Sequence, residues 1–299
     1  MSIFIHPLLA LFFAPLLRGV INKTKAFFAG RRGPPLLQPY YDLAKLLRKG
    51  AVYSETTSWL FRAGPLVGLA ICSLCLVFLP LGNLPACIAF EGDLILIVYM
   101  LGLLRFFTVL AAMDTGSAFE GMGASREMTF SALAEPTLLF GLAAAARKVG
   151  SFSLTPLMHE ITPEIWQSSA PTLALVIAGL FLVFLAENSR IPIDDPTTHL
   201  ELTMIHEVMI LDHGGVDLGF IEYASSLKMW ILGSLIVGLA VPVRSGSLGI
   251  DTVSMFASLI GLAVLIGIIE STMARFRMCK VPQLLVGACV FTIIGFLIQ

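Results

Sequence analysis

Ala186-Glu187-Asn188-Ser189-Arg190-Ile191-Pro192-Ile193-Asp194-Asp195-Pro196-Thr197-Thr198-His199-Leu200-Glu201-Leu202, running on as TMIHEVMILD to Asp212, interrupts a chain that is otherwise mostly apolar. It sets Glu187, Arg190, Asp194, Asp195, Glu201, Glu207 and Asp212 in a connection between two hydrophobic spans, and it begins just as a lipid-length run, from Pro171 to Leu185, ends. Carboxylates held against apolar spans are costly to desolvate, so a cluster of them marks a functional site by default. The fold that follows is a bundle of membrane-crossing helices with an acidic junction on one face.

The rest of the composition agrees. The 299 residues are 57% hydrophobic and 13% charged, with a mean hydropathy of +0.89, whereas soluble domains carry about 25% charged residues. A formal charge of −1 gives no reason to expect nucleic acid. The start, MSIFIHPLLALFFAPLL, has no basic n-region and no small-residue cleavage site, so it reads as a retained span rather than a signal peptide.

A span needs about 20 mostly apolar residues. Eight runs qualify, roughly 3–22, 63–82, 93–113, 128–147, 170–187, 220–241, 252–271 and 281–298. The expected fold is therefore an all-α integral membrane protein, a single membrane domain over 1–299, with cytoplasmic loops at about 23–62, 114–127, 188–219 and 272–280. Pro7 and Pro15 predict a kinked first helix. No internal repeat suggests the inverted halves common in secondary transporters.

Lys and Arg in the loops set orientation. The odd-numbered loops carry fourteen, with Lys228 counted among them, against Arg147, Lys148 and Arg244 in the even ones; Arg18 and Arg105 fall inside spans. The odd loops, and with them the acidic stretch, should face the cytoplasm, and both termini the other side.

In the first loop Arg31-Arg32-Gly33-Pro34-Pro35 is a stiff basic turn, and Leu36, Tyr40, Leu43 and Leu47 then recur at helical spacing with Asp42, Lys45, Arg48 and Lys49 off the stripe. That pattern fits an amphipathic helix at the interface. It serves either as a docking surface for a peripheral partner or as a basic loop that only fixes topology.

Arg105 is a full charge inside apolar sequence and needs a partner facing the bundle interior. Asp114, Glu120, Glu127 and Glu135 are candidates between which the sequence does not choose. The loop from Asp114 to Glu127 is rich in glycine (Gly116, Gly121, Gly123), which permits close packing or unusual turns. Glu135 precedes Pro136, so a kink is expected beside a buried acid. Such an acid suits a proton relay, or else a structural hydrogen bond to a neighbouring span.

In the acidic stretch, Pro192 and Pro196 bracket Asp194-Asp195, and Thr197 or Thr198 can cap a helix running to about Leu211. At roughly 100° per residue, His199, Thr203, His206 and Glu207 share one face, while Glu201 falls in the apolar side between Ile205 and Val208. Glu201 is then buried and paired, or a titrating group with a raised pKa. His199, His206 and His213 stand seven apart, about 10.5 Å of helix rise, too far for two to hold one ion. His206-Glu207 lacks the second histidine of a zinc protease, position 210 being Ile. The histidines read as satisfied groups at a membrane–water boundary. Cys72 and Cys75 have CxxC spacing inside an apolar run and read as buried small hydrophobes.

Glu187, Arg190, Pro192 and Asp194, with Glu201-Leu202, resemble the AE-x-x-R-x-P-F-D…E-L motif of the complex I H-subunit family, the eight-helix subunit at the junction of quinone oxidoreductases. Arg31, Gly33, Pro34, Leu37-Gln38, Asp42 and Lys45-Leu46 resemble that family's first-loop motif, R-x-G-P…LQ…D…KL. Ala124-Ser125-Arg126-Glu127 and Glu135-Pro136 look closer to the hydrogenase branch, that of hydrogenase-4 component C and the formate hydrogenlyase membrane subunit. Ile193 stands where the motif has Phe, and Thr197 and His199 where complex I subunits carry further glutamates, which favours the hydrogenase branch over a quinone tunnel.

The resemblance implies a non-catalytic subunit that anchors a peripheral redox arm and starts a proton path into antiporter-like subunits. It implies partners of four kinds: hydrogenase-like large and small subunits, a ferredoxin-like iron–sulfur subunit and antiporter-like membrane subunits. Ni-Fe and iron–sulfur clusters would sit in those partners and none in this chain, which would lie in the cytoplasmic (inner) membrane. The coupling residues would be Glu187, Arg190, Asp194 and Glu201 at the junction and Glu135 in the path, with Asp195, Glu207, Arg105, Asp114 and Glu127 around them. The docking residues would be Arg31, Arg32, Gly33, Pro34, Asp42 and Lys45. The alternatives are the quinone-site subunit of a complex I-type enzyme, a stand-alone ion transporter, and a passive anchor.

Overall fold

The computed structural model describes residues 4–82, 84–195, 205–242 and 245–298. Eleven α-helices form the described part: α1 (Ile5–Phe28), α2 (Gln38–Leu46), α3 (Trp59–Phe78), α4 (Asp93–Asp114), α5 (Ala118–Val149), α6 (Leu154–Glu160), α7 (Pro163–Glu187), α8 (His206–Met209), α9 (Gly215–Ala240), α10 (Leu248–Thr272) and α11 (Val281–Leu297). Eight of them are long and apolar enough to cross a membrane, α11 together with the 3₁₀ turn before it, and they coincide with the eight expected spans. With no water in the hydrocarbon, helices satisfy their own backbone groups, which is why apolar runs of this length become helices.

The bundle is built around α9, the most enclosed span. It packs on α1, α3, α7 and α10. It is apolar on all sides, the pattern of a helix with no lipid-facing stripe. Trp230 on α9 donates its indole N–H to His6 Nε2 (3.0 Å), and His6 Nδ1 bonds the Leu79 carbonyl (2.8 Å), so one polar clasp joins α1, α3 and α9. Elsewhere small residues let backbones approach, as helix association in lipid requires. At Gly179 on α7 the space of a side chain is already filled by Thr292 and the Ala288 carbonyl of α11.

Four expectations change. The third cytoplasmic loop shrinks to residues 115–117, because Gly116 takes a left-handed turn (φ 70°) and α5 starts at Ala118. Glu120 and Glu127 are therefore helical. Lys228 lies at the middle of α9 and not in a loop, which leaves thirteen basic residues in the odd loops and the helix ends that flank them against three for the even ones. A break that was not expected falls in α7, at Ser169 (φ −135°, ψ 21°), two residues before Pro171, while α1 and α5 carry Pro15 and Pro136 inside continuous helices. The helix expected from Thr197 or Thr198 to Leu211 is described only as the single turn α8; Thr197, Thr198, His199 and Glu201 lie outside the described residues.

Candidate functional site

The site begins where α7 ends. Ser189 takes the left-handed conformation (φ 52°); its N–H bonds the Ala186 carbonyl (3.2 Å) and the Arg190 N–H bonds the Leu185 carbonyl (2.8 Å). This is a Schellman cap with serine in the position glycine usually holds. It turns the chain sharply, so that Glu187 stays inside the bundle while Arg190, three residues on, meets α10. There Arg190 Nη1 lies 3.2 Å from Glu270, whose other oxygen pairs with Lys25 of α1 at 2.9 Å. Arg18 of α1 pairs with Glu222 of α9 nearby.

Arg105 occupies the centre. Its Nε donates to Glu127 (3.1 Å), its Nη1 to Glu135 and its Nη2 to Glu187. Three carboxylates from two other helices thus share one guanidinium, which the rigid five-donor fork of arginine permits. Lys228 Nζ stands 3.6 Å from the second oxygen of Glu187. Removing one partner of such a buried set leaves uncompensated charge. Of the sequence candidates for Arg105, Glu127 and Glu135 are correct and Glu187 joins them. Asp114 instead accepts the Ser58 N–H (2.6 Å) at the start of α3, and Glu120 accepts the Asp212 N–H (3.2 Å). Both are drawn to backbone N–H groups rather than to Arg105.

Glu135 corrects a second expectation. It is not enclosed: its side chain is 44% exposed on the outer side of α4 and α5. It looks into a lateral groove of about 410 Å³ lined by Val98, Tyr99, Gly102, Ala132, Leu139 and Phe140. Glu127 lies eight residues earlier on α5, about 12 Å nearer the N-terminal end of the helix, and is buried.

Past the end of α7, Asp194 is buried, paired with Arg275 (2.9 Å), and accepts the N–H groups of Ile205 (3.3 Å) and His206 (3.2 Å). His206 lies between the two groups of charges, Nδ1 3.7 Å from Asp194 Oδ2 and Nε2 3.4 Å from Glu127 Oε2. Burial pushes against charge on both residues. For Asp194 the His206 ring and Arg275 outweigh it and lower the pKa; for His206, Glu127 and Asp194 outweigh it and raise the pKa. His213, by contrast, stacks face to face on Phe61 (3.9 Å, 8°), and burial lowers its pKa to about 4. Asp195 gives its N–H to Asp194 (3.0 Å).

A cavity of about 120 Å³ lies between the Arg18–Glu222 pair and the Arg105 cluster. Arg18, Glu222 and Arg190 line one part of its wall; Arg105, Glu127, Glu187, Lys228 and His206 line another, with Glu207 beside them. The space holds several waters, and its walls offer the polar partners that buried water needs.

The first loop forms a separate surface. Arg31, Arg32, Gly33 and Pro34 are exposed. Gly33 takes φ 62°. In α2, Asp42 accepts from Gln38 (2.9 Å), and Lys45 lies exposed in the last turn. Of the expected stripe only Tyr40 and Leu43 are half-buried, with Leu46 beside them, while Leu36 and Leu47 stay exposed. The loop is tied to α1 twice. Tyr40 donates to the Phe12 carbonyl (2.6 Å), and the Leu36 carbonyl sits 2.1 Å from where a Cβ on Gly19 would stand.

Sequence reading missed His206, Lys228, Arg275 and the Glu270 set. Lys228 and Glu270 carried a signal, since both are charges at the middle or edge of apolar spans. His206 was weighed as a metal ligand and as a satisfied group at a membrane–water boundary, and its carboxylate neighbours, Glu127 and Asp194, come from elsewhere in the chain. Cys72 and Cys75 pack in the core, Cys72 donating to the Ala224 carbonyl (3.4 Å).

A sequence profile described as NADH dehydrogenase matches residues 1–298. The chain is 30% identical over 289 residues to formate hydrogenlyase subunit 4 of Escherichia coli strain K12, covering 95% of this chain and 93% of that one. It is 32% identical over 273 residues to hydrogenase-4 component C of the same organism, covering 89% and 85%. Among solved structures, a chain of the membrane-bound sulfane sulfur reductase, an archaeal respiratory membrane complex, superposes with a TM-score of 0.82 at 21% identity, over 100% of this chain and 99% of that one; this likeness shows the fold. The chain belongs to the NADH dehydrogenase family, complex I subunit 1/H type, and is a multi-pass membrane subunit of the complex I-related kind found in hydrogenase-4 and formate hydrogenlyase.

Proposed function

We propose that this subunit seats a peripheral redox arm on its cytoplasmic face and starts the proton path that the arm drives. One observation carries the proposal: Arg105 holds Glu127, Glu135 and Glu187 together at membrane depth. A passive anchor has no use for so expensive a set of charges. A small change in the electrostatics above Glu187 is felt by all three acids, because they share one cation. Redox turnover in the docked arm supplies that change through the Asp194 loop, and the cavity supplies water for the path. Glu135, turned out into the lateral groove, hands protons to an antiporter-like neighbour, and the exposed basic turn at Arg31 and Arg32 with α2 meets the arm.

The arm comprises hydrogenase-like large and small subunits and a ferredoxin-like iron–sulfur subunit, which hold the Ni-Fe and iron–sulfur clusters. The chain lies in the cytoplasmic (inner) membrane with its termini on the non-cytoplasmic side, as the thirteen-to-three excess of basic residues in the odd loops and the helix ends that flank them supports.

The test is Glu135→Gln in the intact complex, reconstituted in sealed vesicles. The variant should assemble yet move almost no protons per electron. Normal coupling in that variant removes Glu135 from the path.

A further inference from the structure

We infer that His206 is the proton-carrying link between the cytoplasmic loop and the membrane-embedded acids, taking a proton at one ring nitrogen and releasing one from the other. The inference rests on the coupling role proposed above and names a residue that role did not require.

Geometry comes first. Both ring nitrogens are buried, yet among the described residues neither makes a hydrogen bond. Buried polar groups without partners are rare and call for an explanation. The distances supply one. Nδ1 to Asp194 is 3.7 Å and Nε2 to Glu127 is 3.4 Å, each just beyond the 2.7–3.2 Å of a hydrogen bond. A swing of about half an ångström toward either carboxylate brings that one into range and leaves the other further off. The ring therefore serves the two acids in turn.

Charge comes second. Among the described residues, and apart from His206 itself, Glu127, Glu135 and Glu187 pair with Arg105 and Lys228, three acids against two fixed cations. A protonated His206 completes the balance. The groups around the ring are Glu127 from α5, Glu187 from α7, Lys228 from α9, Asp194 with Arg275 behind it, Arg105 of α4 behind Glu127, and Glu207 next in the chain. Burial opposes the ring's charge, and the two carboxylates it touches overcome that.

The step balances. A ring with its hydrogen on Nε2 accepts a proton at Nδ1 from the Asp194 side and becomes imidazolium. It then releases the Nε2 proton to Glu127 and is left with its hydrogen on Nδ1. A water in the adjoining cavity, which His206 lines, restores the first form by taking the hydrogen from Nδ1 and giving one to Nε2. No electrons move.

The test uses the intact complex in sealed vesicles and reads protons moved per electron transferred between about pH 5.5 and 8.5, the range in which imidazole titrates. In wild type the ratio should fall toward alkaline pH. His206→Gln and the fixed cation His206→Lys should both lower it by at least about tenfold and flatten its pH profile. A wild-type ratio in His206→Lys would mean that only the charge matters, and a wild-type ratio in His206→Gln that the ring carries nothing; either overturns the inference.

Glu187→Gln separates the two levels of the argument. If it lowers the ratio and the His206 variants do not, this inference fails and the coupling role stands; if none of the three does, both fail. Where a His206 variant does not assemble, infrared spectra of the wild-type complex with ¹³C-labelled histidine decide. A ring band that moves across this pH range and is displaced by Asp194→Asn supports the inference, and the absence of such a band overturns it.

Discussion

Gly123→Ala tests whether docking of α8 on α5 holds His206 in place. The Cβ it adds would lie 2.3 Å from Val208 Cγ1, 2.9 Å from Met209 Cγ and 2.9 Å from the Ile205 carbonyl oxygen. Carbon atoms rest about 3.5–4.0 Å apart, and the carbonyl is backbone that cannot rotate away. α8 must therefore retreat by about 1 Å, which stretches the His206–Glu127 separation from 3.4 Å well out of reach. Overpacking of this kind costs about 1–3 kcal/mol. At about 1.4 kcal/mol per factor of ten, local opening of α8 should rise about 5- to 150-fold.

Hydrogen exchange of peptides covering 205–213, followed by mass spectrometry on the assembled complex, reads this directly. Gly121→Ala is the control, two residues away on the same helix with nothing within 4 Å of its added methyl. It should leave exchange unchanged or slow it slightly, since alanine is the better helix former. Equal exchange in the two variants would refute the packing argument, and with it the claim that α8 positions the imidazole.

Two further outcomes follow from the same geometry. The His206 pKa is raised above 6.5, so its contribution to α8 docking is full below that value and is lost as pH rises through the folded value; the Asp194 pKa is lowered below 3.8, so its contribution is present above 3.8 and is lost as pH falls through its folded value. Exchange at 205–213, corrected for the intrinsic rate, should therefore be slowest between these limits and quicken on the alkaline side, and it should lose that alkaline limb in His206→Gln; a flat profile in wild type would contradict the assignment. Arg105→Lys keeps the charge but cannot reach three carboxylates with separate donors, so proton coupling should fall nearly as far as with Arg105→Met, and full activity in the lysine variant would show that the fork is dispensable.

The eight spans were legible because apolar length alone decides them. Glu187, Arg190, Asp194, Glu127 and Glu135 were legible as charges that lipid does not tolerate, and Arg105 as a cation in need of partners. Which partners was not, because helix contacts between α4, α5 and α7 choose them. The start of α5 was hidden for a different reason: Glu120, Arg126 and Glu127 make a helix end look like a loop when the groups that neutralise them lie elsewhere in the chain. Glu135 was read as buried because a charge in a span usually is. Its outward direction depends on where α4 and α5 part, and no local pattern encodes that. Glu201, which the pattern singled out, lies outside the described residues.

The charge map of the Arg105 cluster also bears on how the chain enters the bilayer during synthesis. Arg105 emerges first, and an arginine at the middle of a lone helix costs about 2.5–3.5 kcal/mol to insert. Its first two counterions arrive on the very next helix, 22 and 30 residues later, across a three-residue turn. α4 and α5 can thus leave the translocation machinery as a hairpin that is already internally compensated. Glu187 and Lys228 come two and three membrane spans after Arg105, as an opposite pair of their own. The charges of this cluster thus reach the bilayer in nearly neutral instalments, so they do not contest the topology set by the loops.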